Sequence, residues 1–149
     1  MLDVAPIEIT VESPNTPDGS GMIARAERGL AQDAGGVTAE ELHGPNVEFL
    51  VARRNGRPVG CVALVDQLRY GEVSRLYVDE SDRGTGIGAA LMDALEQAAS
   101  EIGLRSIRIS AAETMGDVVT FCQQFGFTDQ PAAATAPGVK TPTFLEKTI

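Results

Sequence analysis

Histidine occurs once in this chain, at His43, and cysteine twice, at Cys61 and Cys122. One histidine and two widely separated thiols offer no metal-ligand spacing, so no metal site is expected. A hydrolytic triad would hang on His43 alone, with no nucleophile motif beside it. Long apolar runs are also missing, which excludes a bilayer-spanning helix. The first residues show no basic segment leading into an apolar one, so a cytoplasmic location is the expectation. Basic residues are scarce: 12 against 21 acidic ones give a net charge of −9. A surface of that sign repels nucleic acid and anionic membranes, and neither is expected as a partner. What remains is an ordinary soluble composition, 43% hydrophobic and 22% charged over 149 residues. That length suits a single domain, 1–149, with a core of its own.

The apolar pattern changes period along the chain. Ile7-Glu-Ile-Thr-Val11 alternates and predicts a strand. Ser13 to Gly19 is dense in turn formers, and residues 21–32 predict a helix with Met22, Ile23, Ala26 and Leu30 on one face. Gly35-Gly36 should break it, and Thr38-Ala-Glu-Glu41 has the pattern of a capping box opening a second helix. Strands follow at 47–52 and 57–65 about an Asn55-Gly56 hairpin turn, and at 70–78. Residues 86–102 switch to a helical period, with Ile87, Leu91, Leu95, Ala98, Ala99 and Ile102 on the buried face. A strand at 104–110, a short helix at 118–125 closed by Gly126 and a strand at 143–147 complete the order. Residues 129–142, rich in Ala, Pro and Thr, predict a surface loop. The sum is an α/β fold: a mixed sheet with helices on both faces.

The segment Leu76-Tyr-Val-Asp-Glu-Ser-Asp-Arg-Gly-Thr-Gly-Ile-Gly-Ala-Ala-Leu91 carries the chemistry. A strand ends, a polar loop turns, and Gly84, Gly86 and Gly88 lead into the long helix. Glycines there let a ligand approach the backbone. The first amides of a helix lack intrahelical partners and lie at the positive end of its dipole. Together they make a seat for a pyrophosphate. A nucleotide P-loop requires Lys and Ser/Thr after the last glycine, where this chain has Ala89-Ala90. A dinucleotide fingerprint fits Gly84 to Ala89 by pattern, but Asp79 to Arg83 separate the glycines from the strand, and Ser110 stands where an acidic residue should end the next strand.

Arg83-Gly-Thr-Gly-Ile-Gly88 resembles the pyrophosphate motif of the GNAT acyltransferases. Arg57-Pro-Val-Gly60 after its Asn-Gly turn, and Phe121-Cys-Gln-Gln-Phe-Gly-Phe127, resemble two further segments of that family in the same order. The resemblance covers roughly residues 47–127. It implies a mostly antiparallel twisted sheet splayed between strands 70–78 and 104–110, with acetyl-CoA, the acetyl donor, wedged in the gap. Main-chain groups at Leu76, Tyr77 and Val78 would take the pantetheine arm, and Arg83, Gly84, Thr85, Gly86, Ile87, Gly88 and Ala89 the pyrophosphate. A backbone N–H near Leu76 would face the thioester oxygen.

An alkylammonium with a pKa of about 10 must lose a proton before it attacks a thioester. Glu72 is the candidate base, set by two-residue alternation on the face of Leu76 and Val78, with the Tyr77 side chain turned away into the core. The family often protonates the departing thiolate with a tyrosine. Cys122 stands in that slot and is the candidate acid, with inert packing as the other reading. The resemblance implies an N-acetyltransferase for a small-molecule or peptide amine, selected by residues 21–46 and 128–142, with homodimers common in the family. The alternative is a catalytically weak acyl-CoA-binding sensor or partner domain.

Overall fold

Alternating residues on neighbouring strands sort the sheet into two apolar faces, and the helices divide between them. A computed structural model describes residues 6–28, 37–110, 118–131 and 143–149. Its strands are β1 (Ile7–Glu12), β2 (Val47–Arg54), β3 (Arg57–Asp66), β4 (Gly71–Val78), β5 (Ser106–Ser110), β6 (Thr128–Pro131) and β7 (Thr143–Thr148). They form one seven-stranded sheet in the order β1-β2-β3-β4-β5-β7-β6. Every neighbouring pair is antiparallel except β4 and β5. Asn55 and Gly56 both take positive φ, as a tight hairpin turn between β2 and β3 demands.

The helices are α1 (Pro17–Glu27), α2 (Ala39–Leu42), α3 (Ile87–Glu101) and α4 (Val118–Gln124). On one face of the sheet, Leu50, Ala52, Val62, Leu64 and Val73 meet Ile87, Leu91, Met92 and Leu95 of α3 and Ile107 and Ile109 of β5. On the other, Phe49, Val51, Cys61, Ala63 and Val65 meet Met22, Ile23 and Ala26 of α1 and Leu42 of α2. β3 is therefore buried on both sides through its middle. Leu91 and Leu95 have no exposed surface, and each such leucine contributes roughly 2–3 kcal/mol by leaving water.

Three expectations are corrected. The first helix starts at Pro17, inside the stretch read as a turn. Thr16 caps it, its Oγ1 accepting from the Gly19 N–H at 3.0 Å, and Pro17 is preorganised for the first turn. Leu30 and Gly35-Gly36 lie outside the described residues. Ile102 is 47% exposed rather than buried, because α3 ends at Glu101 and its cap residue leaves the helical phase. Residues 128–131, placed largely in a loop, form the edge strand β6 against β7. The capping box is present, with Thr38 and Glu41 each accepting from the other's backbone N–H.

Candidate active site

The β4–β5 ladder runs only from Gly71↔Ile107 to Val73↔Ile109. Beyond it β4 continues to Val78 and β5 to Ser110 without pairing to each other, so the two strands part. A second irregularity falls at the same level. Ser74 pairs with Ala63 and Tyr77 with Cys61, leaving Arg75 and Leu76 together opposite Val62. This is a β-bulge, and Arg75 enters it with φ of 54°. The conformation is costly for a side chain of this size, and buried bonds hold it. The guanidinium, in a residue 5% exposed, donates to Val37 O at 2.9 Å and Ser74 Oγ at 2.9 Å and reaches Glu27 at 3.2 Å.

The bulge overturns the alternation argument for Glu72. Glu72, Ser74 and Tyr77 pair with Val65, Ala63 and Cys61 and so share the α1/α2 face. Leu76 and Val78 pack on the α3 face instead. Glu72 is therefore not on the face of Leu76 and Val78, and Tyr77 is not turned away from it. Gln67 Nε2 donates to Glu72 Oε1 at 3.3 Å and lies 3.5 Å from Glu41 Oε2. Tyr77 does pack against the apolar cluster, as expected of its side chain. Burial first, and then the Asp79 carboxylate, push its phenol above the ordinary range.

After β4 a 3-10 turn, Glu80–Asp82, leads to the glycines. Arg83 Nε donates to Val78 O at 2.9 Å, and its guanidinium lies 5.8 Å from the Tyr77 ring centre, so this arginine ties the loop to the strand end. Thr85 donates to Asp82 O and accepts from Arg54 Nη1 at 3.3 Å. Gly84 and Gly86 have φ of 78° and 91°, and a Cβ built on either meets nothing within 4 Å. Gly88 is different: its Cβ would lie 3.3 Å from Phe121 Cζ, so glycine there lets α4 pack on the first turn of α3. Gly86 caps α3 with no side-chain hydrogen bond, and no acidic residue occupies the first turn. The start of the helix thus offers backbone amides with open space before them, and a pyrophosphate fits that donor set.

Three residues at this loop, Arg54, Arg57 and Asp82, had no site role in the sequence motifs. Arg54 and Arg57 flank the hairpin turn and lie 3.8 and 3.7 Å from the buried Asp82 carboxylate. Their nearness to the glycines depends on β2–β3 register, for which the Arg53-Arg54 run is only a weak sign. Cys122 is fully buried in the α3-side cluster, and desolvation pushes its thiol up to about 11. Full burial and a thiol so reluctant to ionise favour the packing reading of Cys122 over the acid reading. No three His, Cys, Asp or Glu side chains gather as metal ligands among the described residues.

Residues 45–129 match the family model described as an acetyltransferase (GNAT) domain. The chain belongs to the GNAT family. An IAA acetyltransferase of Azospirillum brasilense is 34% identical over 88 residues, a match spanning 58% of each chain. A GNAT family acetyltransferase from Elizabethkingia anophelis, solved with acetyl-CoA bound, has a TM-score of 0.72 at 17% identity over 96% of this chain and 98% of that one. Another from Staphylococcus aureus Mu50 has a TM-score of 0.73 at 16% identity, covering 96% and 99%. At such identities the likeness is one of fold. This GNAT chain keeps the family's sheet with β4 and β5 parted, and no helix among its described residues is long and apolar enough to cross a membrane.

Proposed function

We propose that this protein is an N-acetyltransferase that carries an acetyl group from acetyl-CoA to a primary amine within one ternary complex. The observation that carries the reading is the uncapped start of α3, with Gly84 and Gly86 at positive φ, beside the parting of β4 and β5. Bound there, acetyl-CoA supplies an activated thioester carbonyl. The amides of residues 84–89 hold its diphosphate, with the Arg54 and Arg57 guanidinium groups adding positive potential nearby. Main-chain groups of Leu76, Tyr77 and Val78 take the pantetheine arm as a strand edge takes a peptide. The bulge at Arg75 and Leu76 breaks the β-ladder where an amide is needed to face the developing oxyanion.

Glu72 accepts the ammonium proton, directly or through water. Its position on the α1/α2 face supports the role, because those helices are the family's acceptor-selecting elements. The thiolate departs without help from the Cys122 thiol. Thiol release from acetyl-CoA, measured over a panel of amino acids, polyamines, aminoglycosides and peptide N-termini, tests this function. Release with at least one amine is expected. Tight CoA binding with no release on any amine would favour the sensor reading.

A further inference from the structure

The α1/α2 face of the sheet continues past β4 onto β5 and β7, while α1 and α2 pack on β3 and β4. Arg108 stands there on β5, register partner of Glu72 on one side and of Glu146 on the other. It lies one residue, about 3 Å, short of the point where β4 and β5 part. Its guanidinium lies over two rings, 4.1 Å from the Tyr70 centre and 4.5 Å from that of Phe144. Glu146 Oε2 accepts from its Nε at 2.5 Å. The side chain keeps 35% of its surface exposed, and its Nη donors have no partner among the described residues. An arginine held against two rings and oriented at Nε has lost much of its rotamer freedom while keeping a planar pair of donors. That is the geometry of a bidentate carboxylate receptor. A structural strap between β5 and β7 needs the Glu146 contact but not the unspent fork.

We infer that Arg108 anchors a carboxylate of the acceptor. The acceptor is then a small amine that carries a carboxylate, an amino acid rather than a polyamine or an aminoglycoside. Its ammonium lies toward Glu72 and its carboxylate on Arg108. The rings of Tyr70 and Phe144 shelter the ion pair from water, which strengthens it. A polyamine has no carboxylate to fill the Arg108 fork and so lacks this anchor. The inference rests on the acetyl-transfer reading above.

The test pairs each amino acid of a panel, with β-alanine and γ-aminobutyrate added, against its own carboxamide. Two readouts are taken: kcat/KM by thiol release, and the thermal shift each compound adds to the CoA-bound protein. The wild type should favour the acid of its best pair by about 30-fold, and Arg108→Gln should erase the preference by costing the acid and sparing the amide. Arg108→Lys, with charge but no planar fork, should fall between. Equal rates for acid and amide in the wild type overturn the inference and need no variant to fold. Equal losses on both compounds in Arg108→Gln also overturn it, since a strap would do that. If no amine releases thiol, the transferase reading fails. The thermal shift then decides the anchor alone: acids must stabilise the CoA complex beyond their amides.

Discussion

The proposed diphosphate seat and the proposed acceptor face lie beside the same parting of strands, but they are built from different material. The seat is backbone, drawn from one short stretch, residues 83–89, and it depends on φ values that only glycine takes comfortably. The acceptor face is side chains, brought together from the β3–β4 connection, β4, β5 and β7, and it depends on strand register. On this proposal the seat would hold the donor, while single substitutions on the face could change the acceptor without disturbing it.

The largest expected effect that tests this division is at Gly86. Gly86→Val places a branched side chain in the open space before the helix amides and strains a φ of 91°. CoA affinity should fall by about 100-fold or more in titration calorimetry, with the far-UV spectrum of a folded protein retained. A loss under threefold would break the contrast by showing that the seat is not backbone. Next is Glu72→Gln, on the other face. It should lower kcat/KM by roughly 100-fold below neutral pH, the gap narrowing as pH approaches the amine's own pKa, while leaving CoA affinity intact. A drop of one size at every pH would speak against a base.

A smaller effect is expected at Cys122, which belongs to neither region but to the core beneath them. Cys122→Ala should cost about 1 kcal/mol in denaturant unfolding and leave the pH–rate profile in place. Movement of the alkaline limb would mean the thiol titrates during turnover. The smallest concerns Glu12, ion-paired with Arg53, which also meets Asp18 at 2.8 Å. The Arg53 hydrogen bond is the main force holding the Glu12 carboxyl below its ordinary 4.5, against a lesser opposing push from burial. A carboxyl lowered in the folded state stabilises fully above 4.5, and the contribution is lost as pH falls through the folded value. Glu12→Gln should thus cost about 1 kcal/mol at pH 7, with the difference from wild type closing in acid and catalytic constants unchanged.

The same division explains what could be read without coordinates. The glycine turn into α3 was legible because its signal is local: glycines, an arginine and a helical period follow one another directly. The capping box at Thr38 and Glu41 was legible for the same reason. Arg75 was not, because no residue type announces a bulge carried by a non-glycine at positive φ. Its cause is non-local, in bonds to Val37 and Glu27. One bulge then moved Glu72 and Tyr77 to the face opposite Leu76 and Val78. β6 was obscured by its alanine- and proline-rich surroundings, and Pro131 is tolerated there because the strand lies at the sheet edge. The Arg108 clamp needs three segments in register, so its members look like unrelated surface residues in the sequence.

The most direct measurement is a backbone amide chemical-shift titration of the 15N-labelled protein with CoA, with pantetheine as the control. CoA, and not pantetheine, should move the amides of residues 84–89 most, while both ligands should move those of Leu76, Tyr77 and Val78. If CoA binds and leaves the amides of Gly84 to Ala89 where they were, the start of α3 does not hold the diphosphate and the proposed site is wrong.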